Sequence, residues 1–109
     1  MNSVLATKKG VCYLCQKTAH THLHHIIHAG VSKKKQEKMG LICYLCLDCH
    51  TGAYGVHGTW GAERDQNLKR KAQYEWEQKY IKDYPYENHA EEAAREEWLK
   101  QIGRNYLEN

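Results

Sequence analysis

A chain of 109 residues is long enough for one small domain, and we expect residues 1–109 to form a single one that gains from a metal or disulfide staple. Its formal net charge of +3 is uneven: residues 1–58 carry seven Lys and Arg against two Asp and Glu, whereas residues 59–109 carry nine against eleven. No segment approaches the roughly 20 apolar residues that span a bilayer, which argues against a membrane protein. The opening residues lack an apolar signal region, so we expect a reducing cytoplasm, in which thiolates bind zinc more often than each other.

The first half of the chain predicts two short strands and a helical turn. Partial alternation of polar and apolar residues indicates a strand at about 21–27, and an apolar run after Gly40 indicates a second at 41–46. We expect a loop between them at 28–40 and a helical turn from about Asp48. Four glycines then predict a flexible stretch that ends this turn and lets the backbone bend around His57: Gly52, Gly55, Gly58 and Gly61.

Two amphipathic helices are predicted in the second half. In the first, at about 63–80, apolar residues recur every fourth position, and Asp83-Tyr84-Pro85 ends the helix. The second starts at Asn88, which pairs with Glu91 as a capping box, and ends at Gly103. The apolar positions are Leu68, Ala72, Trp76 and Tyr80 in the first helix and Ala90, Ala94, Trp98 and Ile102 in the second. We expect both helices to fold back on the first half of the chain.

Two Cys-x-x-Cys pairs, about thirty residues apart, have the spacing of a tetrahedral zinc site. The predicted ligands are Cys12, Cys15, Cys46 and Cys49. The fifth cysteine, Cys43, leaves one alternative open, because Cys43 and Cys46 also form a Cys-x-x-Cys pair. We prefer Cys46 and Cys49, because Cys43 alternates with Leu41 and Leu45 and is better explained as a buried thiol in the second strand.

Five of the eight histidines lie within nine positions: His20, His22, His24, His25 and His28. Strand alternation places His20, His22 and His24 on one face and His25 on the other, unless the strand ends there and the chain twists. His20 and His22 are either surface residues or secondary metal ligands. His89, at the start of the acidic last helix, has no predicted role.

The order of these motifs resembles that of HNH endonucleases of the zinc-knuckle type, particularly the small ones carried by bacteriophages. This superfamily, also called ββα-metal or His-Me finger nucleases, grips one divalent ion between a two-stranded ribbon and a helix. The resemblance covers about residues 12–58, including Gly55-Val56-His57-Gly58 at the end of that range. The C-terminal Ile102-Gly103-Arg104-Asn105-Tyr106-Leu107 would extend it over most of the chain. The motifs that carry it are Cys12-Tyr-Leu-Cys15, Leu23-His24-His25-Ile26-Ile27 and Gly40-Leu41-Ile42-Cys43-Tyr44-Leu45-Cys46-Leu47-Asp48-Cys49-His50. The resemblance implies an α+β fold with a zinc-stapled ββα-metal, treble-clef-like core at 12–58 and two C-terminal helices within 62–107.

Carried over by position, the resemblance implies that His25 is the general base that deprotonates the attacking water. His24, His50 and His57 would be the ligands of the catalytic ion. The asparagine that orients the base in this family would fall near Leu41, where the chain has no amide. Another group or a backbone carbonyl must therefore orient His25.

General chemistry agrees with these roles. Phosphodiester cleavage needs a base whose pKa lies near the working pH, and free imidazole titrates at about 6.5. Three neutral imidazoles leave coordination positions open on an ion, and they suit a transition metal better than magnesium, which prefers oxygen ligands. The expected cofactors are a structural zinc and one catalytic Mg²⁺, Mn²⁺, Ni²⁺ or Zn²⁺.

A basic run lies between the metal motifs, in the basic half of the chain. Its members are Lys33, Lys34, Lys35 and Lys38. By itself such a run is typical of a solvated loop, but beside a metal site it favours contact with nucleic-acid phosphates. We therefore expect DNA as the partner, and nothing in the sequence indicates an oligomeric interface.

Together these features predict a metal-dependent DNA endonuclease acting in phage DNA processing or recombination, in the cytoplasm of a bacterial host if a phage encodes it. The alternative is a noncatalytic zinc-finger module that binds DNA or a protein, with the histidines holding a second zinc. The residue at Leu41 favours that alternative. A weaker third hypothesis is a recombination accessory protein that recognises branched DNA.

Overall fold

The computed structural model describes residues 2–28, 30–85 and 88–107, which form an α+β fold with one two-stranded antiparallel sheet and four helices in these ranges. The elements in chain order are β1 (Thr21–His25), α1 (Lys33–Met39), β2 (Ile42–Cys46), α2 (Leu47–Thr51), α3 (Ala62–Asp83) and α4 (Ala90–Ile102). The two strands, the helical turn after the second and the two C-terminal helices agree with the predicted order. No helix in the described ranges is both long and apolar enough to cross a membrane.

The two strands pair so that each histidine of the His24-His25 pair lies opposite a buried residue of β2. His24 pairs with Cys43, and His25 pairs with Ile42. Beyond the strand, the Ile26 N–H still donates to the Leu41 carbonyl at 3.0 Å. The chain then turns at His28, whose φ of 68° is left-handed and ends the extended backbone. The strand predicted to reach Ile27 therefore stops at His25.

Helix α1 occupies residues that the sequence predicts as a loop, so that prediction was wrong at 33–39. Its N-cap is Ser32, whose hydroxyl accepts a hydrogen bond from the Lys35 N–H at 3.0 Å, and its C-cap is Gly40 with φ of 77°. Both are standard helix-end signals. The sequence pattern does not predict the helix, because its residues are almost entirely charged and show no apolar stripe.

The buried side chain of Gln36 attaches α1 to the segment that follows β1. Its amide nitrogen donates to the His28 carbonyl at 3.0 Å and to the Val31 carbonyl at 2.9 Å. Its amide oxygen accepts from the Ile27 N–H at 2.8 Å. One fully buried amide thus satisfies three backbone groups and fixes the turn that carries His28.

The glycine stretch after α2 is a hydrogen-bonded spiral rather than the flexible segment predicted. The N–H groups of Gly55, Gly58 and Gly61 donate to the carbonyls of Gly52, Gly55 and Gly58 at 2.9, 2.8 and 3.2 Å. A Cβ atom at Gly58 would overlap the Gly52 carbonyl oxygen, and one at Gly61 would overlap the Gly55 carbonyl oxygen. Glycine is required here because backbone packs directly on backbone, and the helical turn does end at Gly52 as predicted.

Helices α3 and α4 pack against each other and contribute to the core through the predicted apolar positions. Leu68, Ala72, Ala94 and Trp98 are all at least 98% buried. The Trp98 indole N–H donates to the Arg104 carbonyl at 2.8 Å, which ties the C-terminal segment to α4.

The ends of these helices differ from prediction in two places. Helix α3 is longer, Ala62–Asp83, and α4 starts at Ala90 with His89 as N-cap. Among the described residues no side chain caps α4, so the predicted Asn88 and Glu91 capping box is absent. His89, one residue after Asn88, is the N-cap and adopts left-handed backbone, and the helix begins at Ala90. Gly103 ends α4 in left-handed conformation, as predicted.

Replacing Gln36 with alanine should lower the free energy of unfolding by about 2–4 kcal/mol, because it leaves buried backbone groups without partners. Urea denaturation with zinc present measures this. Gln78→Ala, at an exposed position of α3, is the matched control and should change stability by less than about 0.5 kcal/mol. Equal effects of the two substitutions would contradict the role given to Gln36.

Candidate metal and catalytic site

The first cysteine pair is a tight knuckle attached to the end of β2. Within it, the Cys12 N–H donates to the Lys17 carbonyl at 3.0 Å, and the Gln16 N–H donates to the Cys12 carbonyl at 2.8 Å. Gln16 takes a left-handed φ of 64° to close the turn. The Tyr13 N–H donates to the Tyr44 carbonyl at 2.8 Å, and this bond to β2 brings the knuckle beside the second cysteine pair.

The second pair lies at the joint between β2 and α2, and the four thiols converge. Cys46 is the last residue of β2, and Cys49 lies in α2. The sulfurs of Cys12, Cys15, Cys46 and Cys49 all lie within 4.8 Å of one another. The Cys15 and Cys46 sulfurs are 3.8 Å apart, close to the edge of about 3.8 Å expected for a tetrahedron with zinc–sulfur bonds of about 2.3 Å. The cluster is therefore compatible with the predicted structural zinc.

Cys43 does not belong to this cluster. It is fully buried in the hydrophobic core, as its alternation with Leu41 and Leu45 predicts. Burial raises the pKa of its thiol to about 12, so it stays protonated and unreactive at neutral pH. The alternative pair Cys43 and Cys46 is not the one that the fold brings to the first knuckle.

The thiols of the cluster differ in how readily they ionise. Burial by itself would raise the pKa of Cys12, but hydrogen bonds from the backbone N–H groups of Cys15 and Cys46, together with a bond from the Cys15 thiol, lower it to about 6. Burial raises the pKa of Cys49, and bonds with the neighbouring thiols add to this. Cys12 is thus poised to give the first thiolate, and a divalent cation would favour the others.

A second cluster consists of imidazoles. One ring nitrogen each from His24, His28 and His57 lie within 4.8 Å of one another. His24 is 1% exposed, and its Nε2 is buried without a hydrogen-bond partner among the described residues. Burial, and then the neighbouring His28, His50 and His57, lower the pKa of His24 to about 3. His24 is therefore neutral at physiological pH, the form that binds a metal, and its orphaned nitrogen fits a ligand role.

His28 is a candidate ligand that the sequence analysis left without a role. Its backbone carbonyl is held by Gln36, and its Nε2 lies 2.7 Å from the Asp65 Oδ1. Burial would raise the pKa of Asp65, but bonds with His28 and Lys69 lower it, so the carboxylate is charged and orients the ring. A carboxylate on the far nitrogen is the usual support for a metal-binding histidine. The signal in the sequence was its position in the histidine-rich segment, but Asp65 is 37 residues away and only the fold brings it there.

His57 and His50 reach the cluster because the chain after α2 folds back on that helix. The His57 N–H donates to the His50 carbonyl at 2.9 Å. The His50 ring centroid lies 4.8 Å from that of His57 and 5.1 Å from that of His24. Its Nδ1, however, is 3.3 Å from the Nδ1 of His22, and His50 is not in the group whose nitrogens converge. His50 borders the cluster, and its ligand role stays a prediction.

His25 faces away from these imidazoles, as strand alternation predicts. Its Nε2 lies 2.8 Å from the Oε2 of Glu37, on α1, and its side chain is 15% exposed. Leu41, at the place of the family's asparagine, is fully buried in the core. Glu37 therefore contacts His25 where the resemblance left an orienting group missing.

The four lysines assigned to DNA contact, Lys33, Lys34, Lys35 and Lys38, are exposed on α1. The Lys35 Nζ donates to the Gln101 carbonyl at 3.2 Å. The other three present their charge to solvent on the same helix that carries Glu37.

Comparison with known proteins adds no assignment: no family model, curated protein or solved structure matches the chain.

Removing one thiol of the cluster should abolish tight zinc binding and most of the stability that zinc confers, because structural zinc sites contribute directly to folding. In a cobalt titration, Cys49→Ser should bind cobalt more weakly than the wild-type chain and show a lower thiolate-to-cobalt charge-transfer absorption, and the Tm in zinc should fall. Cys43→Ala is the control and should keep that absorption. A spectrum that depends on Cys43 and not on Cys49 would contradict the ligand set.

Proposed function

We propose that this protein is a metal-dependent endonuclease that hydrolyses DNA phosphodiester bonds. The observation that carries the proposal is the arrangement at the end of β1. The buried His24, whose Nε2 has no partner among the described residues, faces one way into an imidazole cluster, while its neighbour His25 faces the other way and contacts a carboxylate. Because the two side chains point to opposite faces of β1, the scissile phosphate would have to lie across the end of the strand, where both can reach it.

His25 is the proposed general base. The Glu37 carboxylate accepts a hydrogen bond from the Nε2–H of His25, which fixes the tautomer and leaves the Nδ1 lone pair available. Nδ1 can then take a proton from a water molecule that attacks the phosphorus. Glu37 supplies the orientation that the family's asparagine would give, since Leu41 stands at that position and has no amide. As a carboxylate, Glu37 also stabilises the imidazolium formed by proton transfer.

The proposed ion-binding residues are His24, His28 and His57, with His50 at the margin of the cluster. A divalent ion held there would stabilise negative charge on the phosphate and on the leaving oxygen. Three protein nitrogens leave positions free for phosphate oxygens, as a catalytic site requires. Asp65 holds the His28 ring through Nε2, so Nδ1 is the atom left to bind the ion.

The cysteine cluster has a structural role in this proposal. A zinc ion on Cys12, Cys15, Cys46 and Cys49 would hold the first knuckle, β2 and α2 together, next to His50 and His57. The exposed lysines of α1 supply positive charge near His25 that suits a DNA backbone, independently of base sequence.

Plasmid cleavage tests the proposal. Zinc-loaded protein is incubated with supercoiled DNA, and magnesium, manganese or nickel is then added in turn. We expect nicking that depends on the added metal, a loss of about 100-fold or more in His25→Ala, and a loss of about tenfold in Glu37→Ala. His89→Asn is the histidine control, because Asn tolerates the left-handed backbone at that exposed site, and it should retain full activity.

Retention of DNA by the wild-type protein and His25→Ala alike, without cleavage in any metal, would refute the enzyme and leave a zinc-stapled binding module. Cleavage that survives in His25→Ala would refute the assigned base. Nickel binding by His25→Ala and by Glu37→Ala, measured by calorimetry, verifies that the imidazole cluster is still intact in each.

A further inference from the structure

An open groove of about 1210 Å³ lies between α1, the C-terminal half of α3 and α4, apart from both metal-compatible clusters. Its volume exceeds the roughly 300–1,000 Å³ typical of small-molecule pockets. The walls combine aromatic rings from α3 with lysines from α1 and α3.

The aromatic wall is a series of three rings at every fourth position. Trp76 and Tyr80 have ring centroids 5.7 Å apart with planes inclined by 31°, and Tyr80 and Tyr84 are 4.6 Å apart with planes inclined by 36°. Trp76 is anchored by Trp98 in the core at 5.6 Å, whereas Tyr84 is 54% exposed. The series therefore runs from the core to the mouth of the groove, where a ring face is accessible to a ligand.

The rim of the groove is positively charged. Within the described ranges, the groove is lined by four lysines and only two carboxylates, those of Asp83 and Glu97. The lysines are Lys34, Lys35, Lys38 and Lys79. None of the four forms an ion pair within the described residues, and Lys35 donates to the Gln101 backbone carbonyl. The lining therefore carries net positive charge that suits a row of phosphates.

We propose that this groove binds unpaired nucleotides of single-stranded DNA. Lysines that follow a backbone and aromatic rings on which bases stack are the two features that single-strand sites share. Duplex DNA would satisfy the lysines but not the rings, because its bases already stack on each other.

Helix α1 contacts His25 and also lines the groove. The inference about the substrate rests at this point on the proposed nuclease function. Glu37 contacts His25 from one side of the helix, while Lys34 and Lys38 line the groove on another. Lys34 lies three residues before Glu37 and Lys38 directly follows it, so these side chains project from neighbouring parts of the helix surface. A strand held by the lysines would therefore pass close to the proposed base, and the substrate class is DNA with a single-stranded segment beside the cleaved bond.

Fluorescence anisotropy tests the site with a labelled thymidine oligonucleotide, the matching duplex and an abasic oligonucleotide of the same length. The full-length His25→Ala protein, loaded with zinc, is used so that the DNA is not consumed. The oligonucleotide should bind more tightly than the duplex or the abasic strand. Tyr84→Ala should weaken it about 5- to 100-fold, the usual loss on removal of one stacking ring. Tyr74→Ala, which removes a ring 49% exposed on α3 outside the groove, should have little effect.

The charged rim is tested with neighbouring lysines of α1. Lys34→Ala should reduce the slope of log K against log salt by about 0.7, the value for one phosphate contact on a single strand. Lys33→Ala, which lies outside the groove, should reduce it less.

Three results would overturn the inference: equal affinity for the abasic strand, equal loss in Tyr84→Ala and Tyr74→Ala, or competition by polyglutamate as strong as by the oligonucleotide. The last result would indicate a site for acidic protein segments. Single-strand binding by His25→Ala, together with a wild-type protein that cuts no DNA, would support the groove and refute the nuclease. Plasmid cleavage without single-strand binding would do the reverse.

Discussion

The convergence of four cysteine sulfurs is the constraint on which the rest of the structure depends. Cys46 ends β2 and Cys49 lies one turn into α2, so an ion bound there would fix the direction in which the chain leaves the sheet. The same turn sets His50, and the backbone bonds from the glycine stretch return His57 to its side. The positions of two imidazoles thus follow from the geometry of the thiols. In a chain of 109 residues, with a small core, such an ion would contribute much of the stability.

Helix α1 does the complementary work on the other side of β1. Although the helix has only seven residues, its side chains make contacts with three different parts of the molecule. Gln36 satisfies the backbone around His28, Glu37 contacts His25, and the lysines line the groove. A short charged helix can therefore support a proposed metal ligand, a proposed base and a proposed DNA contact at once, because its side chains reach different parts of the molecule.

The sequence predicts what depends on local spacing. The cysteine knuckles, the strand order, the apolar faces of α3 and α4 and the termination at Gly103 all follow from short-range patterns. It did not predict what depends on distant partners. Helix α1 was missed because its only buried side chain is the amide of Gln36. His28 had no assigned role because its support, Asp65, comes from α3, and Glu37 could not be matched to His25 without the packing of α1 on β1. The glycine stretch is predicted to be flexible because glycines occur both in flexible segments and where two backbone segments pack closely, and the sequence does not distinguish the two.

The fold holds apart two clusters that could each bind a metal ion, one of thiols and one of imidazoles. We propose that they bind different ions. X-ray absorption spectroscopy on full-length protein loaded with one equivalent of zinc and then one of nickel tests it most directly. The account predicts four sulfur ligands at about 2.3 Å around zinc, and only nitrogen and oxygen ligands, including imidazoles, around nickel. Sulfur in the nickel shell, or histidine nitrogen in place of sulfur around zinc, would contradict the separation of the two sites.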